Sequence, residues 1–147
     1  MGLILNLIIG GGLILVTFII QAICFDRIMK LIPWVEKKAV FLCKPIWKSL
    51  VFIVVISGIS GAIIVEIWVW ALFYHFLSVF PDLETALYFS STSFTTVGYG
   101  DVVLPKEWRI LSAVEAINGF LLFGWATAFI WEIVTHLYRK EADAIKG

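Results

Sequence analysis

Charged residues, cysteines and prolines are scarce in this chain of 147 residues. Asp, Glu, Lys and Arg together make up 15% of it, and there are two cysteines, two histidines and four prolines. Neither Cys24 nor Cys43 has a His or Cys neighbour at the spacing of a metal site, and no disulfide is implied. The sequence has no phosphate-binding glycine loop, nucleophile triad or pair of catalytic carboxylates, so we predict that the protein is not an enzyme.

Apolar residues dominate instead. They make up 61% of the sequence, which is far more than soluble domains of this size contain. A helix that crosses a lipid bilayer needs about 20 mostly apolar residues, and residues 3–25, 49–74 and 110–135 each satisfy this requirement. Residues 83–95 are apolar over only about half that length, so we predict that they enter the membrane and return on the same side.

The basic residues indicate the orientation in the membrane. Most of them follow the first apolar stretch, where six occur: Arg27, Lys30, Lys37, Lys38, Lys44 and Lys48. The positive-inside rule then places the linker 26–48 and the tail 136–147 in the cytoplasm, and the region 75–109 outside. The first stretch could be a signal peptide, but it lacks a preceding basic residue and a small-residue cleavage site, so we predict a retained helix over residues 1–25.

The linker 26–48 mixes aromatic and aliphatic residues on one side with lysines elsewhere. This pattern predicts an amphipathic segment in the headgroup layer, attracted to anionic lipid, with Pro33 and Pro45 as stops. In the first helix, we expect Gly10-Gly11-Gly12 to interrupt the helix and to allow close packing. Asn6 is predicted to bond a neighbouring helix. We predict no nucleic-acid partner and no small-molecule substrate.

One motif directly follows the short apolar stretch: Thr95-Thr96-Val97-Gly98-Tyr99-Gly100-Asp101. Glycine tolerates positive φ, so glycines at alternate positions let successive carbonyls point to one side of an extended strand. Four such strands around an axis would form rings of carbonyl oxygens that can replace the water shell of K⁺, with the Thr96 hydroxyl at the inner end. The Val97 and Tyr99 side chains would then point away from the ion.

This motif resembles the signature of the potassium channel pore family from Thr95 to Asp101, and the resemblance covers residues 49–135. It implies an all-α membrane protein with an outer helix, a re-entrant pore helix over 83–95, an extended selectivity filter over 96–101 and an inner helix. Four identical subunits would surround the pore with four-fold symmetry. The pattern is most similar to small bacterial channels with two helices per subunit, with one N-terminal helix added, and implies an inner-membrane protein. K⁺ is the implied permeant ion, and the implied filter residues are Thr96, Val97, Gly98, Tyr99 and Gly100.

The resemblance also implies residues that support the filter, namely Thr95, Thr92, Phe89 and Asp101. Thr92 stands where the best-known relatives have glutamate, and Phe89 where they often have tryptophan, so the Tyr99 hydroxyl is expected to lack a partner. Val103 stands where relatives that bind external tetraethylammonium well have an aromatic ring. We expect Asp82 to cap the pore helix, with Glu84 in its first turn.

The inner helix carries further implied sites. Gly119 matches the position where the family's inner helix can bend, although glycine in a lipid-embedded helix also serves as a packing notch, and both interpretations stay open. The resemblance and the helical period together place Phe120, Phe123 and Thr127 in a cavity below the filter, and Trp131 nearer a cytoplasmic gate.

Three glutamates lie within the predicted spans. We expect Glu66 and Glu115 to brace the pore helix through Ser90, Ser91 or Ser93 rather than to act as sensors, because intramembrane ionisable groups commonly pair locally. Glu132 and His136 are one helical turn apart. They can be interpreted either as an ordinary interfacial pair or as a cytoplasmic pH sensor. No span carries the repeated arginines of a voltage sensor.

A potassium-selective channel is therefore the leading hypothesis. The alternatives are a non-selective cation channel, a subunit of an active transporter, and a membrane-anchored structural protein. The intact Tyr99 argues against the first and the single complete pore loop against the second. The third would leave the filter motif unexplained.

Overall fold

The structure, a computed structural model, describes residues 2–42 and 46–146, and four α-helices account for most of them. They are α1 (Leu3–Leu42), α2 (Trp47–Phe76), α3 (Leu83–Phe94) and α4 (Arg109–Lys146). Three of the four helices, α1, α2 and α4, are long and apolar enough to cross a membrane, in agreement with the three predicted spans. The 12 residues of α3 extend about 18 Å, which is too short to cross a hydrocarbon core of about 30 Å.

The first helix continues well beyond its predicted end. Pro33 lies inside α1, so the prediction that it stops the helix is wrong, and residues 26–42 form no separate segment. Pro33 has no N–H to donate to the carbonyl four residues earlier, which normally kinks or breaks a helix. Burial of Ile28, Ile32 and Val35 against α2 and α4 offsets this loss. Pro45 lies outside the described residues, as does Cys43.

The three glycines of α1 do not interrupt it either, which corrects the other expectation for this helix. A Cβ on Gly10 would lie 2.7 Å from Val114 Cγ1, whereas Gly11 and Gly12 have nothing within 4 Å. Gly10 is therefore the packing notch, and it brings α1 close to α4. Asn6 contacts the segment before α4, where its Nδ2 donates to the Glu107 carbonyl at 2.7 Å.

Two apolar clusters hold the helices together. One joins α1, α2 and α4 and includes Phe25, Val55 and Ile133. The other surrounds α3 and includes Trp70 and Phe94. The short α3 is therefore fixed by the second cluster, between the longer helices α2 and α4.

The ends of the remaining helices differ slightly from the predicted bounds. α2 begins at Trp47 rather than at residue 49, and α3 ends at Phe94 with Thr95 as its C-cap. α4 continues through the predicted tail as far as Lys146. The backbone of residues 136–146 is therefore helical.

Candidate functional site

The N-terminus of α3 is capped as the sequence predicts. Asp82 Oδ1 accepts a 2.7 Å hydrogen bond from the backbone N–H of Thr85, and the Thr85 hydroxyl donates to Asp82 Oδ2 at 2.9 Å. Glu84 lies in the first turn. The bonds from Thr85 lower the pKa of Asp82, since they stabilise its charged form. The first N–H groups of a helix have no carbonyl acceptor within the helix, so the Asp82 carboxylate accepts from one of them and fixes the start of α3.

The chain leaves α3 through a series of short hydrogen bonds. The Thr95 hydroxyl donates to the Ser91 carbonyl at 2.7 Å. The backbone N–H of Thr96 donates to the Ser93 carbonyl, and that of Gly98 donates to the Thr92 carbonyl, both at 3.0 Å. These bonds place the first residues of the motif against the end of α3, so α3 fixes where the extended segment begins.

Alternate residues of this segment have positive φ. The values are +61° at Thr96, +51° at Gly98 and +77° at Gly100. The two glycines adopt the conformation expected for them. The positive φ of Thr96 was not predicted, and it is costly for a β-branched residue. The backbone therefore alternates in conformation from residue 96 to residue 100, with Val97 and Tyr99 between the left-handed positions.

The two side chains between the positive-φ residues are exposed in the single chain. Val97 is 52% exposed and Tyr99 is 71% exposed. Phe89 contacts Tyr74 and Phe80, with ring centroids 5.5 Å and 5.1 Å away, and is buried in the cluster around α3. Phe89 thus supports α3, and most of the Tyr99 side chain is left uncovered within the chain.

Asp101 is held by a residue that the sequence analysis missed. The Tyr88 hydroxyl donates to Asp101 Oδ2 at 2.7 Å, and the backbone N–H of Val102 contacts Oδ1 at 3.0 Å. Tyr88 belongs to α3, thirteen residues earlier in the chain. Its hydrogen bond is the main reason that the pKa of Asp101 lies below its ordinary value. Thr92, in the position of the relatives' glutamate, donates instead to the Phe89 carbonyl at 2.9 Å.

Gly119 joins α4 to the end of α3. A Cβ at this position would overlap the carbonyl oxygen of Phe94 and lie 3.0 Å from its ring. Gly119 therefore acts as a packing notch here, while the hinge interpretation stays a prediction. Gly124, one and a half turns further along, has nothing within 4 Å.

The predicted cavity residues lie on one open face of α4. Phe120 and Trp131 are each 71% exposed, and Thr127 is exposed with its hydroxyl donating to the Phe123 carbonyl at 2.9 Å. Phe123 is half-buried against Phe94, with ring centroids 6.1 Å apart. The opposite face of α4 packs within the chain, so this face is the part of α4 that the chain itself leaves uncovered.

Glu115 and Glu66 differ in their contacts with neighbouring side chains. Glu115 is fully buried and accepts a 3.0 Å hydrogen bond from the Tyr74 hydroxyl of α2. The Ser90 hydroxyl lies near the same carboxyl but outside hydrogen-bond geometry. Ser91 donates to its own Leu87 carbonyl at 2.7 Å. Tyr74 therefore holds the Glu115 carboxyl, and Ser90, one of the three predicted serines, lies close to it.

Glu66 is also fully buried, and neither of its oxygens has a hydrogen-bond partner among the described residues. Glu132 and His136 are exposed, and with Met29, Ile32 and Pro33 they line a crevice of about 300 Å³ between α1 and α4. The proposed pH response of that pair stays a prediction.

Comparison with known proteins gives one finding. The sequence model of the two-transmembrane ion channel family, described as "Ion channel", matches residues 62–136, just over half of the chain. The match includes the second half of α2, all of α3, the extended segment and most of α4. No curated protein and no solved structure matches the chain.

Proposed function

Because the chain belongs to the two-transmembrane ion channel family, we propose that it is a potassium-selective channel whose pore is formed by four identical subunits. The observation that carries this proposal is the alternation of positive φ at Thr96, Gly98 and Gly100, directly after the 12-residue α3. This conformation turns successive carbonyls toward one side, as coordination of a dehydrated K⁺ requires. The carbonyls of Thr96, Val97, Gly98 and Tyr99 would bind the permeant ions.

The tetramer follows from the number of filter strands in one chain. One strand supplies a quarter of each carbonyl ring, and oligomers of identical subunits are usually closed and symmetric. The exposure of Val97, Tyr99 and the Phe120–Trp131 face of α4 supports this proposal, since neighbouring subunits would cover the two filter side chains and leave the helix face around a shared cavity. Native mass spectrometry in detergent should detect four chains. Fully active dimers would exclude the proposed pore.

The environment of the channel is part of the same proposal. The protein is an integral membrane protein, since its family and its three apolar helices agree. We place residues 75–109 outside and the C-terminus in the cytoplasm on the charge distribution, and the resemblance to small bacterial channels implies a bacterial inner membrane. Anionic lipid would bind the basic residues that follow residue 25, and the channel would have no catalytic activity.

The decisive experiment measures ion selectivity. The purified protein would be placed in planar bilayers with KCl on one side and NaCl on the other, and the reversal potential would be recorded. A potential near that of K⁺ supports the proposal, whereas one near zero would indicate the non-selective cation channel. An absence of current from correctly assembled tetramers would argue against a channel altogether.

A further inference from the structure

A buried polar bond joins α1, which lies outside the matched region, to the inner helix α4. Thr17 and Asn118 are both fully buried. Asn118 Nδ2 donates to Thr17 Oγ1 at 2.9 Å, and the Thr17 hydroxyl donates to the Ile14 carbonyl of its own helix at 2.8 Å. The Thr17 hydroxyl also lies 3.1 Å from Asn118 Oδ1, so it can donate either to its own helix or to Asn118, while its oxygen accepts from Asn118 Nδ2.

Asn118 is adjacent to the closest approach of α4 to α3. The next residue, Gly119, packs directly on the Phe94 carbonyl. Phe94 is the last residue of α3, and Thr95 and Thr96 begin the extended segment. A short path therefore leads from Thr17 through Asn118, Gly119 and Phe94 to the inner end of the proposed filter.

Aromatic contacts also join this part of α1 to α4. They include stacked rings of Phe18 and Trp125, with centroids 5.6 Å apart, and of Phe25 and Phe129, 3.9 Å apart. Apolar contacts are non-directional, so such surfaces can shift relative to each other at little cost. A hydrogen bond requires one distance and one angle. The bond from Asn118 to Thr17 is therefore a directional contact that helps to specify how α4 sits along α1, as the bond from Asn6 to the Glu107 carbonyl does nearer the start of α1.

We propose that Thr17 is a positioning residue for the selectivity filter. By holding Asn118, Thr17 keeps Gly119 seated on the Phe94 carbonyl and so keeps the Thr95–Gly98 backbone in its alternating conformation. The N-terminal helix is thus a structural part of the pore in this protein. The inference rests on the proposed function for its consequence in conduction, but its structural part can be tested without any current.

Four variants separate positioning from simple stability. Thr17→Val keeps the side-chain shape but removes the acceptor, which leaves Asn118 Nδ2 buried without a partner. Thr17→Ser keeps the acceptor and should therefore retain the behaviour of the parent protein. The double variant Thr17→Val, Asn118→Leu removes both polar groups, and such pairs can be nearly neutral for stability. Ile19→Val, on the exposed face of the same helix, is the control.

The first readout is hydrogen exchange of the peptide covering residues 92–101 in tetramers held in lipid nanodiscs. We expect exchange of the Gly98 amide, which bonds the Thr92 carbonyl, to be roughly two- to tenfold faster in Thr17→Val and in the double variant. That range is what one neutral hydrogen bond supplies. Thr17→Ser and Ile19→Val should exchange like the parent. The double variant should melt at the parent's temperature while retaining the fast exchange.

The second readout is the mean open time of single channels, which we expect to fall by a similar factor in the same two variants. Unchanged exchange and open times in the double variant would overturn the inference and leave the proposed function intact. If the parent itself carries no K⁺ current, the proposed function fails, and the exchange data alone then decide whether Thr17 positions the segment. If Thr17→Val does not assemble, the exchange and the open times of the double variant are compared with those of Thr17→Ser, and this comparison tests the same inference.

Discussion

The Tyr88 hydroxyl donates a 2.7 Å hydrogen bond to Asp101 Oδ2. It thereby joins the middle of α3 to the outer end of the extended segment that follows it. The segment between them is thus fastened at both ends, to α3 at residues 95–98 and to Tyr88 at Asp101. Contacts at both ends fix the backbone of this segment, and so they fix the spacing of its carbonyl groups.

Tyr88→Phe should make the channel more sensitive to external acid. The bond from Tyr88 lowers the pKa of Asp101 below its ordinary value of 3.8. A lowered pKa means that the contribution of Asp101 is complete above 3.8 and is lost as the pH falls through the pKa of the folded protein. Without the hydroxyl, the pKa of Asp101 should rise toward 3.8, and K⁺ current should begin to fall at a higher external pH.

The measurement is single-channel current against external pH between about 2.5 and 7, a range that brackets ordinary carboxyl pKa values. Tyr138→Phe serves as the control, because Tyr138 is exposed on α4 and keeps its ring over Lys48 in the variant. Identical acid responses of the parent and Tyr88→Phe would mean that the bond does not act in the assembled channel.

Alanine at Gly98 or Gly100 should abolish selective K⁺ current. Both glycines have positive φ, a conformation that costs an ordinary L-residue roughly 1–2 kcal/mol. The cost applies in every subunit, so the carbonyls should turn away from the axis. Gly61→Ala is the matched control, since Gly61 has ordinary φ and nothing within 4 Å. Reversal potentials in a K⁺/Na⁺ gradient measure the effect, and parent-like selectivity in both filter variants would show that the assignment is wrong.

Gly119→Ala should destabilise the protein, whereas Gly124→Ala should not. The added methyl group at residue 119 meets the Phe94 carbonyl, which is backbone and cannot rotate away, and overpacking of this kind costs about 1–3 kcal/mol. At residue 124 there is open space, and alanine favours helix by up to about 1 kcal/mol over glycine. Thermal unfolding in detergent should separate the two, and equal melting temperatures would contradict the contact at Gly119.

External tetraethylammonium should block the channel weakly, and Val103→Tyr should strengthen the block. Val103 is exposed, and the resemblance to potassium channel pores implies that relatives which bind this cation well carry an aromatic ring at this position. An aromatic face attracts a quaternary ammonium by roughly 0.5–2 kcal/mol, which valine cannot supply. We expect block to tighten by about tenfold, equivalent to about 1.4 kcal/mol.

The test is a dose–response of single-channel current for both proteins. Leu3→Tyr, which adds an exposed aromatic ring at the start of α1, is the control for a nonspecific effect. Strong block of the parent, or no gain in Val103→Tyr, would show that the outer mouth differs from that of the relatives.

Local chemistry explains which features could be predicted. Runs of apolar residues determine the three spans, because only a helix satisfies its own backbone in lipid. Asp82 could be recognised as a cap because the bond it makes spans three residues. The glycines of the motif favour positive φ through their own lack of a side chain, so their conformation could be predicted from residue type and spacing alone.

Tertiary packing decided the rest, since it depends on residues that are distant in sequence. Pro33 is helical because neighbours from α2 and α4 cover that part of α1. Glu115 bonds Tyr74 because α2 presents that hydroxyl at 3.0 Å. Tyr88 and Thr17 find their partners 13 and 101 residues away. Sequence periodicity shows which face of a helix is buried, but only the packed helices determine which atoms meet there.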